Sequence, residues 1–432
     1  MLKDGEGMAG IGAEMLGWAR DLFPLPRSLT GRGVEATLLY LSDRCPELEI
    51  KSVPTGYQAF DWTVPNEWNV REAYLEHLAS GQRFAVFSEN NLHLVGYSTP
   101  VDRVMSLDDL GPHLFTQPDQ PDWIPYVTSY YSPNWGFCLS EHEKQRLPHG
   151  DYRVLIDSEL STGQMLYAEA HIAGDSADEV LFSSYICHPS MANNELSGPV
   201  LLVKLLQHLS QAGTKPKLSY RFVLVPETIG SLVYLSKSLD SLRQSVVAGF
   251  VLSCVGDERA FSHIETRSGT SLADDALRAA FKGRANPRYY SFKHRGSDER
   301  QYGAPGIDLP VAGFCRSKYG EFPEYHTSAD NFDVVTERGL EESFDLMAEI
   351  IAAFEIGLRP RSQCLGEPQM SRRGLYPKTS QKGGYRDVRI LMDCLAYCDG
   401  KTSLFEIVEQ TDYALGDVVG AVKLLKENEL VA

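Results

Sequence analysis

Between about residues 151 and 359, short apolar runs alternate with helical segments, and this restricts the fold more than any other feature of the chain. EVLFSSYIC is a compact apolar run of the kind buried on both faces of a parallel sheet. LSGPVLLVKLLQHLSQAG follows, with Leu202, Leu205, Leu206 and Leu209 on one helical face. YRFVLVPE, SLVYLSKSLDSL and AGFVLSCVG continue as strand, helix and strand; GIDLPVAGF then precedes the long amphipathic LEESFDLMAEIIAAFEIGL. The pattern predicts an α/β fold, a mostly parallel sheet covered by helices on both faces.

Two further zones flank this one. After the turn-rich RSLTGRG, the segment GVEATLLYLSDR reads as a helix. From about Gly56 to His149 the chain is aromatic and proline-rich, with short strands broken by turns, as in GQRFAVFSENNLHLVGYSTPV. The aromatics of PDWIPYVTSYYSPNWGFCLS can build a β-core or line a pocket, and the core reading carries most of the weight. Beyond the basic linker SRRGLYPKTSQKGGYR, with Arg372, Arg373, Lys378, Lys382, Arg386 and Arg389 nearby, VRILMDCLAYC, LFEIVEQT and LGDVVGAVKLLKENELV predict three short helices. They resemble a winged-helix module. The expected division is 1–55 plus 151–365 for the α/β domain, 56–150 for a β-rich insert and 371–432 for the winged helix.

Charge narrows the partners. A formal net charge of −17 repels phosphate backbones, which argues against nucleic acid. Residues 401–432 carry three lysines against six acidic side chains, so the winged helix reads as a protein-contact or oligomerisation element. No apolar run is long enough to cross a bilayer, and MLKDGEGMAGIGAEM lacks the basic start and apolar stretch of a secretory signal. The expectation is a cytoplasmic protein without a membrane partner, leaning toward a homo-oligomer. Eight scattered cysteines without a C-x-x-C spacing read as buried thiols.

In parallel α/β sheets, ligands gather at the carboxyl ends of strands. His188 ends EVLFSSYIC, Glu227 ends YRFVLVPE, Asp298 lies in HRGSDERQYG before the strand GIDLP, and His326 lies in the loop EYHTSADN. Asn194 and Glu195 occupy the turn that starts the helix after His188. Neutral imidazoles with carboxylates form the ligand set of a zinc ion that keeps an open position, and a free carboxylate beside it can take a proton from water. Singly, each residue has a structural reading: Glu227 as a helix-terminal acid, Asn194 as an N-cap. Their shared location shifts the balance.

The ordered stretches CHPSMANNELSGP, VPETIGS, GSDERQYGAPGIDLP and EYHTSADN resemble the motif series of the co-catalytic zinc aminopeptidases over about residues 150–360. Nearly the full length is similar to a group of bacterial aminopeptidase-like proteins, through RSLTGRG, VPTGYQAFDW, SYYSPNWGFCLS, CHPSMANNELSG and the winged helix after SRRGLYP. The resemblance implies that His188 and His326 bind zinc, that Glu227 matches one member of a Glu-Glu pair whose other place holds Pro226, and that Asp298 supports the site. Asn194 falls where a metal-bridging Asp belongs, and Glu195 beside it can restore the charge. Ser253 falls where another zinc-binding Asp is common. One zinc per chain, held by His188, His326 and either Glu195 or Glu227, is more economical than two.

Two functions follow. The first is a metal-dependent hydrolase that removes an N-terminal aminoacyl group from a peptide or small conjugate, with Glu227 as base if Glu195 binds the metal and Asp298 orienting a ligand or the substrate amine. The second is a catalytically impaired binding protein on the same fold, with the winged helix docking a partner.

Overall fold

A computed structural model describes residues 10–375 and 386–432. Residues 376–385, which hold most of the expected basic linker, and residues 1–9 of the N-terminal stretch lie outside the described residues.

Eight strands form the main sheet: β1 (Glu49–Pro54), β2 (Gln164–Ile172), β3 (Glu179–Tyr185), β4 (Ser219–Val225), β5 (Val246–Leu252), β6 (Phe261–Ile264), β7 (Pro287–Tyr290) and β8 (Val311–Cys315). Their order across the sheet is β1-β2-β4-β3-β5-β8-β6-β7. The centre, β4-β3-β5-β8, is parallel as the alternation predicts. The flanks are mixed: β1 with β2, β2 with β4, and β8 with β6 are antiparallel, while the edge pair β6 with β7 is parallel. β2 follows directly on a strand of a second sheet rather than on a crossover helix, and parallel pairing needs such a crossover.

Strand alternation feeds two cores, one on each face of the sheet. Val180, Phe182, Phe222, Leu224, Phe250 and Leu252 point to one. The helices α1 (Ile11–Leu22), α2 (Arg32–Arg44), α3 (Ser197–Ser210), α5 (Leu272–Phe281) and α6 (Glu337–Ile356) supply the rest of that core. Leu181, Val223, Val225 and Val251 point to the other face, which is covered by α4 (Ile229–Ser245) and the second sheet. The helix α1 was not foreseen in the sequence reading.

In the second sheet, Glu67–His77 pairs with Arg83–Phe84 and with Asp151–Ser161, which in turn pairs with Val101–Ser106, all antiparallel. Asp151–Ser161, grouped by composition with the α/β zone, is therefore an inner strand of this sheet. Three helices follow near the C-terminus: α7 (Arg386–Ala396), α8 (Leu404–Thr411) and α9 (Leu415–Glu427). Leu404, Phe405, Val408, Val418 and Val422 join the same core as α5 and α6, with Phe405 edge-on to Phe354 at 5.7 Å.

Gly198 shows why the turn before α3 ends in Ser-Gly. A Cβ there would stand 2.3 Å from both Leu252 O and Ser184 Oγ, so only glycine lets the helix start approach β3 and β5 this closely.

Candidate functional site

The parallel strands β4, β3 and β5 end side by side, and the residues after them build the site. After β3 the ladder continues for one bond, Ile186 N–H to Val225 O at 3.0 Å, and then delivers Cys187 and His188. Next comes a single π-helical turn, Ala192–Leu196, leading into α3. Such turns widen a helix start and place side chains that an α-turn would not. Asp330 clamps it: its carboxylate accepts the Asn193 and Asn194 backbone N–H groups at 2.6 and 2.8 Å, and its backbone oxygen accepts Ala192 N–H at 2.9 Å. Burial pushes the Asp330 carboxyl up to about 7 despite those amides.

The turn aims Glu195 inward, behind His188. His188 Nδ1 lies 2.7 Å from Glu195 Oε2, and both side chains are buried. Arg27, in the segment between α1 and α2, completes the stack. Its fully buried guanidinium donates from Nε to His188 O at 3.0 Å and stands 3.7 Å from Glu195 Oε1. Burial raises the proton affinity of Glu195 while the Arg27 charge opposes it. Burial lowers Arg27 to about 10, with the Glu195 charge pulling the other way. On the other side of the ring, His188 Nε2 faces Glu227 Oε2 at 3.5 Å; when Nδ1 donates to Glu195, the ring lone pair lies on Nε2, toward the cavity.

Glu227 is set by a strained turn. Thr228 has φ 66° and ψ −76°, and Ile229 N–H bonds back to Glu227 O at 2.8 Å, a tight three-residue turn of the rare positive-φ kind. Asp298 holds it: Oδ1 accepts Thr228 N–H at 2.8 Å and the Ser231 hydroxyl at 2.9 Å. Burial raises Asp298 to about 6, against those two hydrogen bonds. Glu227 is raised well above the usual carboxylate range by burial and by the nearby Asp298 charge, with Arg300 opposing.

His326 approaches from the far side, at φ 56°. Its ring centre is 5.6 Å from that of His188, it stacks on Tyr325 at 3.9 Å, and its backbone oxygen accepts Tyr126 N–H at 2.8 Å. Burial lowers both imidazoles to about 3, so each is neutral at pH 7. His188, Glu227 and His326 all line one cavity of about 260 Å³. Two neutral imidazoles and one carboxylate on one cavity are the kind of donor set that zinc takes.

The aromatic segment divides between the two expectations, for Phe137 and Leu139 are buried in the core while its tyrosines reach a pocket. Tyr126, Tyr130 and Tyr131 line this cavity, together with Trp62. They are brought there by a backbone tie in which Ser328 N–H bonds Ile124 O and Ile124 N–H bonds Ser328 Oγ, both at 2.9 Å.

Of the residues singled out in the sequence, His188, Glu195, Glu227 and His326 come together. Asp298 stands behind Thr228, away from the cavity wall. Asn194 accepts Tyr185 OH at 3.2 Å, and Ser253 Oγ lies 3.6 Å from Cys315 Sγ. Sequence reasoning missed Arg27, Asp330 and Cys187. Cys187 Sγ accepts Glu227 N–H at 3.2 Å and gathers with His188 and Glu195 into a buried group whose ligand atoms lie within 4.8 Å of one another.

Residues 16–357 match the family described as Domain of unknown function (DUF4910), and residues 359–432 match the winged helix-turn-helix family. The chain is 39% identical, over 97% of its length and 96% of the relative's, to the Clostridium acetobutylicum protein named "Putative polysaccharide biosynthesis protein with aminopeptidase-like domain". Among solved structures, a "putative peptidase" from Clostridium acetobutylicum superposes with a TM-score of 0.89 at 38% identity, covering 98% of each chain. A zinc aminopeptidase from Bacillus subtilis superposes with a TM-score of 0.56 at 13% identity, covering 82% of this chain and 96% of that one, a likeness of fold.

Proposed function

Because this chain belongs to the family described as Domain of unknown function (DUF4910), on a zinc-aminopeptidase fold, we propose that it is a metal-dependent hydrolase that cleaves an amide, releasing an N-terminal aminoacyl group from a peptide or small conjugate. The observation that carries this reading is the convergence of His188 Nε2, Glu227 and His326 on one cavity. These three would hold one zinc, which when bound supplies a Lewis acid for the amide carbonyl.

Glu227 has two oxygens, and one stays available for a proton. It takes the proton of the attacking water and returns it to the leaving nitrogen. Glu195 and Arg27 keep the His188 ring in its tautomer and orientation. Asp298 fixes the Thr228 turn and so the direction of Glu227; its role is positioning.

The inserted unit is proposed to end at Ser161 rather than at residue 150, since Asp151–Ser161 pairs with Glu67–His77 and Val101–Ser106. The winged helix is proposed as a protein-contact element, with oligomerisation through it the simplest use. The exposed side of α9 carries Asp417, Lys423 and Glu427, a poor match to a phosphate backbone. Among the described residues no helix is long and apolar enough to cross a membrane, and a cytoplasmic site of action is part of the proposal. The relative's name, polysaccharide biosynthesis, fits a small conjugate better than a protein substrate.

A second reading, a binding protein that no longer turns over, is favoured by the neutral Asn194 and Ser253. Metal content of the untagged chain separates the two. About one zinc per chain, lost in His188→Ala and in His326→Ala, is expected; no retained zinc after loading and washing would overturn the hydrolase.

A further inference from the structure

The cavity beside Glu227 has a cationic end that the reaction does not use. Arg300 lines it next to Thr228, and among the described residues it is the one lysine or arginine in the wall. A guanidinium offers five N–H donors. Arg300 spends one on the Thr228 hydroxyl at 2.5 Å, its buried Nε has no partner, and it makes no direct ion pair with a carboxylate of the described residues. A partly buried guanidinium with open donors, facing a cavity, is a receptor for a planar anion.

Another part of the wall is aromatic and half open. Trp62 and Tyr131 are 38% and 51% exposed, and their rings meet edge-on with centres 5.7 Å apart. Exposed aromatic faces at the mouth of a cavity await a hydrophobic or ring-bearing group. One wall thus presents the donors that would hold the metal, one guanidinium and an aromatic platform.

We propose that Arg300 is a specificity residue that binds a carboxylate on the leaving-amine side of the substrate, so that the preferred substrate is a dipeptide-sized aminoacyl conjugate with a free carboxylate and an apolar side chain. The inference deepens the hydrolase reading and rests on it for the identity of the scissile bond. A single guanidinium matches the one charge and the fork geometry of a carboxylate; a phosphate dianion calls for more cationic donors than this wall provides. Longer peptides place an uncharged amide where the carboxylate would sit and leave Arg300 unpaired.

The test uses the full-length chain, with chelator and after zinc loading, and three probes: L-alanyl-L-phenylalanine, its C-terminal amide and inorganic phosphate. Binding to the chelator-treated chain is measured by calorimetry. The free acid is expected to bind at least about tenfold more tightly than the amide, and that preference is expected to vanish in Arg300→Gln, about 1.4 kcal/mol by the affinity relation. Arg300→Lys is expected to keep part of it, and thermal melting checks that both variants fold. Equal binding of acid and amide, a preference that survives Arg300→Gln, binding of neither dipeptide, or phosphate binding tighter than the acid would each overturn the proposal. Hydrolysis is read separately on the zinc-loaded chain. Carboxylate-selective binding without turnover of either dipeptide would sink the hydrolase reading and leave the Arg300 site standing.

Discussion

Strands β3 and β5 are neighbours with the same direction, yet their carboxyl ends are built from different chemistry. After β3 stand Cys187 and His188, backed by Glu195 and Arg27, with donors turned toward a cavity. After β5 stand Ser253 and Cys254, which with Asn194, Tyr185 and Cys315 make a buried cluster of neutral groups. One end keeps charge and an open lone pair; the other has closed its polar atoms on one another, apart from Asn194 Nδ2, which has no partner. The lesson is that two neighbouring strand ends in one sheet can carry opposite chemistry, one charged and open, the other neutral and closed, without any change in the strands that deliver them.

The largest effect that would test this contrast is chemical. Glu227→Gln keeps shape but removes both the proton acceptor and one of the three donors proposed for zinc, so amide hydrolysis by the zinc-loaded chain is expected to fall about a thousandfold with the melting temperature of the metal-free chain unchanged. A variant with ordinary turnover would show that the charged half is not the working one. Next comes Arg27→Met. It strips the buried Glu195 of its cation and is expected to cost about 3–5 kcal/mol by urea titration. A loss under about 1 kcal/mol would mean that Glu195 already carries a proton and that the two halves are closer in charge than the stack implies.

The third test is pH. Burial holds His188 at about 3 in the folded chain against 6.5 for the free group. The unfolded chain therefore takes up this proton first as pH falls. The stabilisation is complete above about 6.5 and is lost toward 3, by up to about 1.4 kcal/mol per pH unit. His326 acts in the same direction, whereas Asp298 and Asp330, raised to about 6 and about 7, act in the opposite one. The quantity to measure is thus the stability difference between the parent chain and His188→Gln, in chelator, from pH 3 to 7. A positive slope below 6.5 is expected, and a flat difference would contradict a buried neutral imidazole. Smallest of all, Ser253→Ala should change stability by less than about 1 kcal/mol and leave metal content untouched, since it loses only a weak contact to sulfur. A loss of metal in that variant would erase the distinction between the halves.

Much of this was readable in advance, for a physical reason. The strands β3, β4 and β5 are mostly apolar runs, and a residue that ends such a run sits at the sheet's carboxyl edge, so His188 and Glu227 declared themselves. What stayed hidden depends on distant parts of the chain. Arg27 meets His188 across 161 residues, and no local pattern marks an arginine for burial. Tyr126 reads like any aromatic in a β-rich stretch until its backbone bonds to His326. Asp330 was nearer to view: an acid in the quoted EYHTSADN, placed to receive the amides of another helix start. Antiparallel flanks escaped because alternation of strand and helix says nothing of the direction in which an edge strand enters.

The tie between Ile124 and Ser328 has a consequence for how a chain of this fold can vary its cavity. It fastens a replaceable segment to the one loop that cannot be replaced. Tyr130 and Tyr131 lie six and seven positions beyond Ile124, where the chain can vary in length and character while the two bonds to Ser328 keep any new version in register with His326. A grafted loop that preserves residues 124–128 would leave the His326 loop in place and change only the cavity wall, whereas one that cuts through the tie would disturb both at once.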